Sequence, residues 1–124
     1  ETVDDPAAVI AAARGLGLGA GVAFNPGTDV AQAAAAAEGA DLALCMSIEP
    51  GYSGQEFMES ALDRIRELAS LVGADCFVQV DGGVNQDNVR SAYDAGARLL
   101  VTGSAIFGRE DLPRSYRRLV QALA

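Results

Sequence analysis

The feature that most constrains this chain is the order in which apolar runs and helical patterns alternate. Four short, nearly all-apolar runs lie at residues 22–24, 42–47, 76–80 and 99–102, each separated from the next by a stretch of helical character. Short strands that are apolar on both faces and joined through helices belong to parallel sheets covered by helices. Asp5-Pro6 is a helix start, with Asp as N-cap and Pro at the first helical position, and carries a helix to Arg14 before the glycine-rich stretch at 15–21. The alanine run at 29–38 predicts a second helix packed closely on the sheet. Leu62, Ile65, Leu68, Ala69 and Val72 fall at 3–4 spacing and predict an amphipathic helix over 56–72. Two more helices follow, over 87–95 with Gly96 as C-cap and over 112–123. The resulting order, αβαβαβαβα, predicts an α/β fold in one domain spanning 1–124. Either an open doubly wound sheet or part of a (βα)8 barrel satisfies it.

Composition removes much familiar chemistry. The chain has no histidine, which excludes Ser-His-Asp and Cys-His nucleophile systems, histidine bases and histidine metal ligands. Its formal charge is −8, and all nine basic residues are arginines, so nucleic acid and anionic membrane surfaces are not expected partners. An anionic small substrate remains open, because backbone amides bind phosphate without basic side chains. Cys45 and Cys76 lie in apolar runs without a CxxC motif and read as reduced, non-catalytic thiols. No apolar run approaches the length of a membrane span, and the first residues lack the basic and apolar regions of a signal peptide, which predicts a cytoplasmic protein. A start in the middle of structure, without an initiator Met, suggests a piece of something longer.

Polar and glycine residues gather just after three successive strands: Gly51 and Gly54, then Asp81, Gly82 and Gly83, then Gly103 and Ser104. In parallel α/β folds the carboxyl ends of the strands form the ligand face. Glycines there either make tight strand–helix turns or let backbone N–H groups approach an anion; three such loops together favour a phosphate cradle. Asp81 is the one acidic residue at the tip of an apolar strand. It is a candidate general acid/base, a metal ligand or a turn cap. Strand alternation places Asp81, Gln79 and Phe77 on one face and Cys76, Val78 and Val80 on the other, while Met46 shares a face with Leu44 and Leu42.

The segments MSIEPGYSGQEFM (46–58), VDGGVNQDN (80–88) and GSAIFG (103–108), in that order and spacing, resemble the ribulose-phosphate 3-epimerase family, and GVAFNPGT (21–28) resembles that family's fifth strand and turn. The resemblance covers essentially the whole chain but only strands five to eight of the family's barrel. It implies the C-terminal half of a TIM (β/α)8 barrel. It also implies interconversion of D-ribulose 5-phosphate and D-xylulose 5-phosphate, by proton transfer at C3 through an enediolate between two aspartates. A divalent metal (Zn, Fe, Mn or Co) assists in the complete enzyme. Carried over by position, Asp81 is one catalytic aspartate and one metal ligand, and Met46 lines the site. Gly51, Tyr52, Ser53, Gly54, Gly82, Gly83, Gly103 and Ser104 contact the phosphorylated substrate, with Tyr52 and Ser53 departing from the usual Phe and Gly. The other aspartate and the histidine ligands belong to strands outside this chain, so the isolated chain is expected to be inactive and to hold no metal tightly. Self-association, a molten state, or docking with an N-terminal half barrel is expected of its open edges. A non-catalytic phosphate-binding half barrel and an epimerase of a hexulose 6-phosphate are the alternative readings.

Overall fold

A computed structural model describes residues 1–52 and 54–124. Its elements run α1 (Pro6–Gly15), β1 (Gly21–Phe24), α2 (Val30–Ala36), β2 (Leu42–Met46), α3 (Ser60–Leu71), β3 (Phe77–Asp81), α4 (Val89–Asp94), β4 (Leu99–Val101), α5 (Ser104–Phe107) and α6 (Leu112–Leu123). The expected cap, Asp5 before Pro6, is in place, and two further aspartates cap helices for which the sequence reading named no cap. Asp5 accepts the Ala8 N–H at 3.0 Å ahead of Pro6, and Asp29 and Asp111 cap α2 and α6 in the same way at 2.9 Å. Each satisfies one of the orphan amides that a helix leaves at its first turn.

All pairings are parallel, and the strand order β1-β2-β3-β4 follows the sequence without a reversal. That order decides between the two architectures left open by the sequence. A doubly wound sheet reverses direction at a switch point and carries helices on both faces. Here every crossover advances the same way, and because such crossovers are right-handed, the helices all fall on one face. The structure is therefore a partial barrel: four βα units, helices outside and a bare inner face.

Burial follows this geometry. The residues that face the helices, Ala43 and Cys45 on β2 with Val78 and Val80 on β3, are buried against Ile65 and Leu68 of α3 and Val89 and Ala92 of α4. Alternate residues form rows across the inner face: Gly21–Leu42–Phe77, Ala23–Leu44–Gln79–Leu99, and Met46–Asp81–Val101 at the carboxyl ends. Phe77 is 56% exposed and Leu99 42%, against 3% for Val78 and 0% for Val80. In a closed barrel such inward side chains are stacked in layers from alternate strands. Here their partners are absent.

Three differences from the sequence expectations have local causes. The third helix starts at Ser60 rather than at 56, because the chain at 54–59 folds back on the sheet, where the Met58 N–H donates to the Ser47 carbonyl at 2.9 Å. The fourth starts at Val89, two residues late, because Asn85 and Asn88 hold the preceding loop: the Asn88 side chain accepts the Asn85 N–H at 2.8 Å. The expected loop after β4 contains the one-turn helix α5, closed by Phe107 N–H to Gly103 O at 2.9 Å and Gly108 N–H to Ser104 O at 3.0 Å. Gly96 follows the C-cap Ala95 at φ +121°, where its missing Cβ leaves room for Ala69 of α3.

Arg14 and Asp41 tie the chain at the amino ends of the strands. Asp41 accepts from the Ala20 N–H at 2.7 Å and from Arg14 Nη2 at 2.9 Å. The Ala20 amide, and secondarily Arg14, holds the Asp41 carboxyl below its ordinary pKa. A carboxyl lowered in the folded state adds stability above its unfolded pKa and loses it as pH falls through the folded value. The substitution Asp41→Asn should therefore flatten the acid limb of a stability–pH profile measured by urea unfolding, with the difference from the unsubstituted chain vanishing at the lowest pH. The one-sided cover predicts a second contrast in the same assay. Leu68→Ala should cost roughly 2–5 kcal/mol and Leu99→Ala about 0.5 kcal/mol or less. A comparable cost at Leu99 would mean that the inner face is covered in solution.

Candidate functional site

The carboxyl ends of β2, β3 and β4 and the loops beyond them bring the sequence-derived site residues to one end of the sheet. Asp81 ends β3 on the inner face, half-buried, in register with Met46 on one side and Val101 on the other. Among the strand residues of the inner face it is the one carboxylate, and none of the three ion pairs among the described residues involves it. Its side chain thus stands at the mouth, above Gln79 on the same strand and flanked in that lower row by Leu44 and Leu99.

The loops after β2 and β3 are fitted into each other. Gly82 has φ +121°, and a Cβ there would lie 2.6 Å from Ile48 Cγ1; Gly83 has φ +65°, and a Cβ would lie 2.5 Å from the Phe57 backbone nitrogen. Only glycine allows both the left-handed backbone and this approach. The Gly83 carbonyl accepts from the side-chain amides of Asn85 at 3.1 Å and Asn88 at 3.0 Å, which fixes the loop from its far side. Gln55 holds the outer loop by donating to the carbonyls of Glu49 at 2.8 Å and Tyr52 at 3.0 Å.

A cleft of about 570 Å³ runs between these loops and α5, lined by Gly54, Gln55, Phe57, Gly83, Asn85, Ser104 and Arg109 among others. Of the sequence-derived residues, the cleft gathers Gly54, Gly83 and Ser104. It does not take in Asp81, Met46, Gly51, Tyr52, Gly82 or Gly103, and Ser53 lies outside the described residues. Gly51 and Gly54 have positive φ, 148° and 90°, and Tyr52 is 73% exposed. Gly103 caps α5, and Ser104 is its first residue, so the opening amides of that turn point out of the helix. Sequence reading missed Ser47, Ile48, Phe57, Asn85 and Asn88, whose work is to hold the glycine loops. All five lay within quoted motifs, but the loop contacts that give them this work left no signal in the sequence pattern.

The thiols stay apart from this site. Burial pushes the pKa of both Cys45 and Cys76 up, and Cys45 is fully enclosed on the helix side of the sheet. The divalent metal implied by the resemblance would find one carboxylate here. The chain has no histidine, and among the described residues no three His, Cys, Asp or Glu side chains cluster as a metal site. The residues of this chain alone do not fit the ion. Among the described residues no helix is long and apolar enough to cross a membrane.

Comparison with known proteins agrees with this geometry. Residues 1–107 match the ribulose-phosphate 3 epimerase family. The chain is 39% identical over 107 residues to the ribulose-phosphate 3-epimerase of Aquifex aeolicus, covering 84% of this chain and 48% of that protein. It is 41% identical over 101 residues to the chloroplastic ribulose-5-phosphate-3-epimerase of Arabidopsis thaliana, covering 79% and 36%. It thus spans about half or less of the length of these relatives. A crystal structure of 3-hexulose-6-phosphate synthase superposes with a TM-score of 0.73 at 24% identity, over 99% of this chain and 59% of that one, a likeness of fold. With four sequential parallel βα units, glycine loops fitted together at their carboxyl ends and a family match over residues 1–107, the chain belongs to the ribulose-phosphate 3-epimerase family.

Proposed function

We propose that this chain is the strand-five-to-eight half of a ribulose-phosphate 3-epimerase and works only within a completed barrel that interconverts D-ribulose 5-phosphate and D-xylulose 5-phosphate. The observation that carries the reading is Asp81, the one carboxylate among the described strand residues of the inner face, at the tip of β3 beside the interlocked glycine loops. Inverting a carbon centre through an enediolate needs a proton removed from one face and returned to the other. One carboxylate serves one face. Asp81 is that group on this chain, donating or accepting the C3 proton; Met46, its neighbour in register, gives it an apolar wall. The second group comes from strands beyond those described.

The substrate phosphate is held by the loops. Gly82–Gly83 and Gly103–Ser104 follow the third and fourth strands of the chain, the seventh and eighth of the barrel. There many barrels bind phosphate with two loops and the N-terminus of a short extra helix. The one-turn α5 supplies such a helix here. Gly51, Tyr52 and Gly54 contact the sugar from the preceding loop. The bare inner face and the open edges at β1 and β4 are completed by four more strands, either an N-terminal half barrel or a second copy in self-association.

The test is a mixing assay of ribulose 5-phosphate epimerisation with a divalent metal present. The chain alone should show no turnover. The chain with a separately expressed N-terminal half of a related epimerase should form xylulose 5-phosphate, and Asp81→Asn should lower that rate by about 10²–10⁴-fold. Turnover by the chain alone, or full activity of the Asp81→Asn mixture, would refute the reading.

A further inference from the structure

We propose that Ser47 is the positioning residue that sets Asp81, an inference that rests on the role given to Asp81 above. Among the described residues Ser47 is the one polar side chain in the buried set, at 0% exposure. Its backbone N–H donates to the Asp81 carbonyl at 2.8 Å, extending the β2–β3 ladder one residue beyond the sheet. Its hydroxyl lies 2.9 Å from that same carbonyl and 2.6 Å from the carbonyl of Gly82. Its own carbonyl accepts the Met58 N–H at 2.9 Å. One residue therefore joins the end of β2, the end of β3 and the returning loop ahead of α3.

Two consecutive carbonyls within reach of one hydroxyl is a conformational statement. In an extended strand, successive carbonyls point to opposite sides. They can share a donor only where the chain turns, and here it turns at Gly82, φ +121°. The hydroxyl is thus complementary to the turned state and to no straight continuation of β3. Ser47 shares the helix-covered side with Cys45, one residue away from inward-facing Met46 in the alternation, so it holds the Asp81 backbone from behind while the carboxylate faces the mouth. It touches no ligand itself. Asn85 and Asn88 brace Gly83 but make no bond to Asp81 or Gly82, so among the described residues no other side chain duplicates the contact. Without the hydroxyl, the Asp81 carbonyl keeps the Ser47 N–H, while the Gly82 carbonyl loses its side-chain donor in a dry site.

The experiment compares Ser47→Ala, Ser47→Thr and Asp81→Asn. Amide hydrogen exchange is followed in this chain, and the split between kcat and KM for ribulose 5-phosphate is followed in the mixture with the N-terminal half. Ser47→Ala should speed exchange at residues 82–85 by at least ~10-fold relative to β1 and α1. It should also lower kcat by about 10–100-fold while KM stays within about threefold, because a misplaced proton-transfer group is felt in the chemical step. Ser47→Thr, which keeps the hydroxyl, should restore most of kcat. Unchanged exchange at 82–85 in Ser47→Ala, a loss confined to KM, or a Ser47→Thr variant as impaired as Ser47→Ala would each overturn the proposal. The control separates the two claims: an active Asp81→Asn mixture refutes the role of Asp81, whatever Ser47→Ala does to exchange.

Discussion

Everything in this structure follows from sheet order. Four parallel strands laid down in sequence, with crossovers of one hand, put every helix on the same side. The helix-covered side then becomes a conventional core in which Ala43, Cys45, Val78 and Val80 meet Ile65, Leu68, Val89 and Ala92. The other side keeps the same alternating backbone but has nothing against it, and so carries Leu42, Leu44, Phe77 and Leu99 toward open space. Exposed apolar surface of this kind is a signature of an unfinished contact. It is the reason the chain reads as part of a barrel rather than as a shallow open sheet.

The ligand end depends on a second constraint, the close approach of two loops. Gly82 and Gly83 permit Ile48 and Phe57 to come nearer the backbone than any Cβ would tolerate, and Ser47 fastens the turn that results. The motif glycines are therefore explained twice over. On the proposed reading they open space for an anion, but only if the loops first dock, and docking itself demands glycine. This ordering matters for reading substitutions, since a side chain at Gly83 would unseat Phe57 before it met any phosphate.

The sequence made the fold class legible because periodicity and caps are local signals. Asp5-Pro6, the alanine run after Asp29 and the spacing from Leu62 to Val72 report on their own neighbourhoods, and the structure keeps all three. The choice between doubly wound sheet and barrel was not legible from pattern, because strand order is a property of the whole sheet; only the family motifs pointed to it. The helix starts at 56 and 87 failed where tertiary contacts overrode propensity, in the loop tied to Ser47 and in the Asn85–Asn88 bracket. Asp81 stood out as an acid at the end of an apolar strand. Ser47 did not, since a serine at a strand end looks like any turn residue until its three backbone partners are seen.

Charge bears on how such a site would hold a phosphate. The cleft beside the glycine loops is bordered by Glu56, Glu59 and Asp87, with Arg109 as its cation, in a chain of formal charge −8. Long-range attraction of an anion is thus weak, and recognition must come from short-range donors. Backbone amides would meet that need on the proposed reading: they act over a hydrogen-bond length, and the docked loops and the first turn of α5 fix their direction. An arrangement of this kind gives up electrostatic steering of the encounter and depends instead on geometry held in advance. On the proposed reading, rigidity at 82–85 and 103–105 is then what binding rests on, and the contacts that produce rigidity are as much a part of the site as the residues that touch the ligand.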